Sequence, residues 1–264
     1  MSRVFHRHRF PLAAILVAAG LLLVAAAAGQ SAEAGVVPSY ITAAVDSSSR
    51  PDKDRERDVN RKPGLVLAFA GVKPGMKVAE LMPGGGYFSR LFCQIVGPKG
   101  HLYTVSINPT IKREPPPPDA AAPPPPPPNP CTNITAESQD AAALKLPPGL
   151  DMVWTSENYH DLHNDYFGKP DMKAFNRAVF EALKPGGIFM VEDHVAVAGS
   201  GARDTQTLHR IDPELVKQEV TSAGFEFVLG SDVLHNTEDT HDAKVFDLKG
   251  RSDKFLFKFR KPRK

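Results

Sequence analysis

The chain has 264 residues, 42% of them hydrophobic, which is enough to bury one full core once its ends are discounted. A formal net charge of only +2, with no basic stripe interleaved with aromatics, argues against nucleic acid as a partner. The Lys/Arg-rich end, Lys258 to Lys264, reads as a solvated tail.

At the N-terminus, Arg3, Arg7 and Arg9 precede an apolar run from Pro11 to Ala28 and a small-residue stretch ending Ala32-Glu33-Ala34. Basic region, apolar core and A-x-A site form the pattern of a secretory signal peptide, residues 1–34. Export to a periplasmic or extracellular compartment is therefore expected. An uncleaved membrane anchor stays open as the alternative, since the run approaches the ~20 apolar residues of a span. Residues 35–49 read as a flexible lead-in to a domain covering 50–263. Arg50 to Asn60 is densely charged and helix-compatible, and reads as a solvated helix; after Pro63, Gly64 to Ala70 forms a second helical stretch.

The sequence turns informative at Met76 to Leu91, MKVAELMPGGGYFSRL. A short apolar strand (Met76 to Leu81) meets a glycine-dense turn (Met82 to Gly86), and a helix opens with Tyr87, Phe88 and Ser89. Glycine allows a close backbone approach, and a helix opening there aims its amides at the turn, which suits a nucleotide-like ligand. Gly84-x-Gly86-x-x-Ser89 nearly matches a dinucleotide fingerprint, so a nicotinamide oxidoreductase is one reading. Glu80, an acid on the strand where such enzymes are apolar, speaks against it. With that acid, the stretch resembles motif I of the class I S-adenosylmethionine-dependent methyltransferases. Glu80 stands for the acid, and Gly84 and Gly86 for the second and third glycines. Met82 replaces the first. By this resemblance Glu80, Pro83, Gly84, Gly85 and Gly86 hold the cofactor, S-adenosylmethionine, and Asp58 and Arg61 of the charged helix lie near it.

The helix runs to about Val96 and ends at Gly97-Pro98, and Gly100 to Ile107 is a second strand. Family members carry an acid at the end of that strand to grip ribose hydroxyls. Here Ser106 and Asn108 take its place, able to hydrogen-bond but uncharged. Residues 115–130, PPPPDAAAPPPPPPNP, are a low-complexity insertion that cannot join a sheet. Cys131 and Cys93 are the only cysteines; either a buried free Cys93 or one disulfide is consistent with them. Asn133 to Thr135 reads as a third strand, which places Asp140 where the family often has an acid touching the adenine. Leu150 to Thr155 is the fourth strand, followed by the polar loop Ser156 to Asp165, SENYHDLHND.

In that loop His160 is a candidate general base, the loop otherwise reading as a turn-rich surface segment. His160, Asp161, His163 and Asp165 also offer metal ligands, but their dense spacing fits no standard motif and no metal is expected. Asp171 caps a helix to Leu183, and LKPGG turns the chain into a fifth strand, Ile188 to Asp193, a second resemblance to the same family. His194 closes that strand as the second catalytic candidate, or else as a brace for the next loop. Gly199 to Arg210 is placed to cover an acceptor. Asp212-Pro213 opens a helix that Gly224 closes, and Phe225 to Leu229 is a strand. Lys254 to Arg260 puts Phe255, Phe257 and Phe259 on one face.

The whole order implies a Rossmann-like α/β methyltransferase sheet, mostly parallel with an antiparallel C-terminal strand and helices on both faces. The segments ELMPGGGYFSR, LKPGG and HRIDPELVKQEVTSAGF resemble a group of exported bacterial methyltransferases. The resemblance implies methyl transfer to an oxygen or nitrogen of a small or envelope-associated acceptor. A methyltransferase-like envelope protein that has lost catalysis is the alternative, on account of Met82 and Ser106.

Overall fold

The computed structural model describes residues 1–2, 36–111 and 131–263. Nearly all of the expected signal peptide, and the whole proline-rich insertion, lie outside the described residues. Among the described residues, no helix is long and apolar enough to cross a membrane.

Three helices, α1 (Ser39–Val45), α2 (Asp52–Arg61) and α3 (Pro63–Ala70), precede β1 (Lys77–Leu81) and α4 (Tyr87–Val96). Next come β2 (His101–Ile107), β3 (Ile134–Gln139) and β4 (Leu150–Ser156). The second half adds α5 (Met172–Ala182), β5 (Leu183–His194), α6 (Thr205–Leu208), α7 (Pro213–Ser222), β6 (Glu226–Ser231) and β7 (Lys254–Arg260). The strands form one sheet in the order β3-β2-β1-β4-β5-β7-β6. Neighbours from β3 to β5 are parallel, and β7 runs antiparallel to both β5 and β6.

Strand periodicity divides the core into two faces. Val78, Met152, Trp154, Met190 and Leu256 point to one side, against Ile41 of α1, Leu67 of α3 and Phe88, Leu91 and Phe92 of α4. Ala79, Val153, Val191, Phe255, Phe257 and Phe259 point to the other, against Phe175 and Val179 of α5 and Val216 and Val220 of α7. The caps sit where the sequence puts them. Asp171 Oδ1 accepts from the backbone N–H of Lys173 and Ala174, and Asp212 Oδ1 from that of Glu214.

Four expectations are corrected by packing. The expected lead-in contains α1, whose Ile41 and Ala44 are buried and whose Tyr40 donates its hydroxyl hydrogen to Val72 O. The third strand runs on through Gln139, because it pairs with β2 residue by residue from Leu102↔Ile134 to Ile107↔Gln139. The LKPGG segment does not precede the fifth strand; it forms an irregularity within β5, between the pairs Leu150↔Leu183 and Met152↔Ile188. Finally, Lys258 is part of β7 rather than a solvated tail, its ammonium donating to Phe69 O.

Cys93 on α4 and Cys131 at the threshold of β3 form a disulfide, with Cα atoms 5.6 Å apart. Gly100 marks the tightest approach in this region. The backbone N–H of His101 bonds Met76 O and that of Gly75 bonds Val96 O, so the α4–β2 turn lies against the start of β1. A Cβ on Gly100 would stand 2.5 Å from Met76 O and 2.7 Å from Val96 Cβ. Gly100→Ala is expected to destabilise the fold by about 1–3 kcal/mol through overpacking, read as a lower urea midpoint. An unchanged midpoint would show that the turn can open.

Candidate active site

The chain builds β1, β2 and β3 outward in one direction and then returns to lay β4 on the other side of β1. Open α/β sheets leave a crevice at such a switch, outside the carboxyl ends of the strands. A cavity of about 420 Å³ lies there, within the size range of small-molecule sites. Its wall comes from the ends of three strands, from α2, from the first turn of α4 and from the loop after β4.

From β1 and its turn come Glu80, Met82, Pro83, Gly84 and Gly85. Gly84 has φ +54, and a Cβ on it would meet nothing within 4 Å. The backbone thus faces open space that a ligand can fill, in a conformation that side chains disfavour. Met82 takes φ +49, the same left-handed region that a glycine would occupy. Two hydrogen bonds hold it there: its N–H donates to Val105 O, and its carbonyl accepts from Asn158 Nδ2, both at 2.8 Å. The departure from the glycine pattern therefore leaves the turn intact. Gly86 caps α4 and does not line the cavity.

Glu80 is buried and accepts a hydrogen bond from Ser89 Oγ. Burial pushes its carboxyl up to about 8, although the Ser89 hydroxyl and the charges of Arg61 and Arg90 pull the other way. Ser106 lines the cavity at the end of β2. Asn108 and Asp140 lie outside the lining and bond each other, Nδ2 to Oδ1 at 2.9 Å, across the ends of β2 and β3.

The charged helix α2 is not solvated on its inner face. Arg50, reaching from just before it, forks onto Asp58, whose Oδ1 also accepts the Tyr87 hydroxyl hydrogen. Asp54 takes the buried guanidinium of Arg90. Arg61 lies over the Tyr87 ring and pairs with Glu157, and Arg57 and Arg61 both line the cavity. The helix is thus clamped onto the first turn of α4 by charge, and two of its arginines face the ligand space. Asp58 reaches the site only through Tyr87.

Beyond β4 the polar loop folds into two short 3₁₀ turns. Glu157, at φ +57, borders the cavity at the glycine turn and two further cavities of about 410 and 580 Å³. Burial disfavours its charge, yet Arg61, Lys254, His194 and Arg57 outweigh that and hold it well below the usual carboxylate range. Glu192, fully buried next to it, is raised by burial and by the charge of Glu157.

The larger cavity gathers the histidines. His160 is buried, and its Nδ1 and backbone N–H both reach Asp193, at 2.7 Å each. Its Nε2 lies 3.3 Å from His209 Nδ1 and 3.3 Å from Asp161 Oδ1. Burial opposes its charge, but Asp193 and Asp161 prevail and push it up to about 10. His194, whose Nδ1 sits 2.8 Å from Ser252 Oγ, is pushed by burial down to about 4 and is neutral at pH 7. His163 turns to Glu219 and Asp165 to Lys169. Of the four residues that offered metal ligands in sequence, only His160 and Asp161 stay together. His209, from the loop expected to cover an acceptor, joins them. Arg57, Glu157, Asn158 and His209 are the site residues that sequence alone did not single out; for Glu157 and Asn158 the available signal was their place directly after β4.

The fold has counterparts among solved structures. A S-adenosylmethionine-dependent methyltransferase of Aquifex aeolicus superposes with a TM-score of 0.52 at 14% identity, over 80% of this chain and 98% of its own. One from Mesorhizobium loti gives 0.50 at 16%, over 77% and 99%. The fold is that of the class I S-adenosylmethionine-dependent methyltransferases. Relatedness extends to sequence: a ubiquinone/menaquinone biosynthesis C-methyltransferase of Shewanella woodyi is 25% identical over 191 residues, 69% of each chain. A protein-L-isoaspartate O-methyltransferase of Methanothermobacter thermautotrophicus is 44% identical over 41 residues, 16% of this chain and 19% of its own. No family model matches the chain.

The residues present fit the methyltransferase cofactor. Gly84 and Gly85 open onto free space, Ser106 offers a hydroxyl at the β2 end, and Arg57 and Arg61 supply charge for a carboxylate. Glu157 would supply the opposite charge for the cationic groups.

Glu80 yields a test with a definite sign. Its carboxyl titrates at about 8 in the folded chain, against an ordinary 4.5. Between those values the folded state keeps a proton that the unfolded chain has released, so stability falls as pH rises through that window. Glu80→Gln has no charge to bury. Its thermal midpoint should rise relative to the parent between about pH 5 and about pH 8 and level off above, and a difference independent of pH would mean Glu80 titrates normally.

Proposed function

We propose that the protein transfers a methyl group from S-adenosylmethionine to an oxygen or nitrogen of a small or envelope-associated acceptor, outside the cytoplasm. The observation that carries this reading is the position of Glu157 between the cavity at the glycine turn and the two cavities that hold His194. A cofactor on one side and an acceptor on the other would meet at this wall.

When bound, the cofactor supplies a methyl activated by an adjacent sulfonium. The work of the chain is to hold the two partners in line and to manage one proton. Glu157, kept ionised by Arg61 and Lys254, puts negative charge where a cationic centre has to sit. We assign proton removal to His194, which is neutral and borders both acceptor-side cavities. His160, already holding its proton between Asp193 and Asp161, is ill suited to take another.

Export is supported by the N-terminal pattern and by the Cys93–Cys131 disulfide, a bond that persists in oxidising compartments. A second reading, a binding protein without turnover, draws on Ser106: the wall has no carboxylate at the end of β2.

Calorimetric titration with S-adenosylmethionine and with S-adenosylhomocysteine tests the first step. Saturable binding is expected, weakened at least ~10-fold in Gly84→Val, whose branched side chain must take positive φ and fill the cavity. Equal binding by the variant would move the site elsewhere. With an acceptor found by release of S-adenosylhomocysteine, His194→Ala should lower kcat by about 10²-fold or more and leave cofactor affinity unchanged. Cofactor binding without turnover across a broad acceptor panel would favour the second reading.

A further inference from the structure

We propose that His160, Asp161 and His209 form a binding site for a divalent first-row transition cation such as zinc, with its open position facing the acceptor cavity. The three donor atoms, His160 Nε2, Asp161 Oδ1 and His209 Nδ1, make a triangle with sides of 3.3, 3.3 and 3.6 Å. Ligands held at about 2.0–2.2 Å around a tetrahedral zinc lie about 3.3–3.6 Å apart. The triangle is thus one face of such a tetrahedron. Two imidazoles and one carboxylate are also a donor set that suits zinc and non-haem iron while leaving a position for substrate or water.

The surroundings agree. His160 Nδ1 bonds the buried carboxylate of Asp193 at 2.7 Å, the partner that fixes a ligating imidazole with its other nitrogen toward the metal. His209 has φ +55, a conformation that costs energy in a non-glycine residue. It is pinned by its neighbour Arg210, whose guanidinium bonds Val195 O, Ala243 O and Asp239, and by edge contact with Phe246. The three residues border a cavity of about 580 Å³ that also contains His194 and Gln206. Cation binding uses the His160 Nε2 lone pair, so a proton carried on that nitrogen passes to solvent.

The consequence for chemistry rests on the methyl-transfer reading. A hydroxyl of the acceptor, ligated at the open position, would pass its proton more readily to His194 and present an oxygen nucleophile. The site therefore favours a small acceptor with a metal-binding oxygen over an amine.

The test is titration of zinc into untagged, chelator-treated full-length protein, paired with the visible spectrum of the Co²⁺-loaded form. One ion per chain and a four-coordinate Co²⁺ spectrum are expected. Asp161→Asn and His209→Ala should each weaken zinc by about 10-fold or more, and Asp161→Asn, nearly isosteric, serves where His209→Ala does not fold. His163→Ala and His241→Ala, at histidines paired with Glu219 and Asp253, should bind as the parent does. No stoichiometric binding, binding indifferent to Asp161→Asn, or loss in His241→Ala instead would overturn the proposal and leave a hydrogen-bonded cluster. Binding of S-adenosylmethionine, measured on the same preparation, reports separately on the methyl-transfer reading.

Discussion

The histidine-lined side of the molecule hangs on one buried carboxylate. Asp193, at the end of β5 and fully out of solvent, accepts from the backbone N–H groups of His160 and His194 and from the ring of His160. A charge at that depth is costly unless it is met by several donors. Here those donors come from the loop after β4 and from β5 itself, so satisfying the charge also fixes the loop. Once His160 is fixed, Asp161 and His209 have a defined place to meet it, and the cavity between them has a wall.

A comparable constraint acts on the cofactor side. Arginines and acids of α2 and of the segment leading into it find partners on α4 and on the loop after β4, and Tyr87 lies among them. Each pair is poorly exposed, so loss of one member would strand the other. The result is a helix held over the crevice by polar contacts, with apolar packing left mainly to α1 and α3 beneath it. Polar docking of this kind suits an element that has to present charge to a ligand.

The sequence was most readable where the determinants are local. The apolar strand, glycine turn and helix from Met76 to Leu91 are each specified by neighbours in the chain, as are the Asp171 and Asp212 caps and the phenylalanine alternation of β7. What could not be read depends on distant partners. Asp54, Asp58 and Arg61 look solvated until Arg90, Tyr87 and Glu157, which lie 36, 29 and 96 residues away, are brought to them. His209 is 49 residues from His160, and no spacing rule connects the two. Met82 was misleading in the opposite sense. Its identity breaks a motif, while its N–H bond to Val105 O of β2 and the Asn158 side-chain bond to its carbonyl hold the conformation that the motif exists to provide.

The disulfide sets where the protein can vary. Cys131 is tied to α4 by its bond to Cys93, and on the other side Thr110 is tied to Tyr166 by its backbone N–H. The two points at which the chain leaves β2 and re-enters at β3 are therefore held independently of what joins them. Because the entropy of closing a loop grows only slowly with its length, a change in the length of the joining segment costs little. The natural place for this scaffold to acquire a new module, or to carry a grafted one, lies between Ile111 and Cys131.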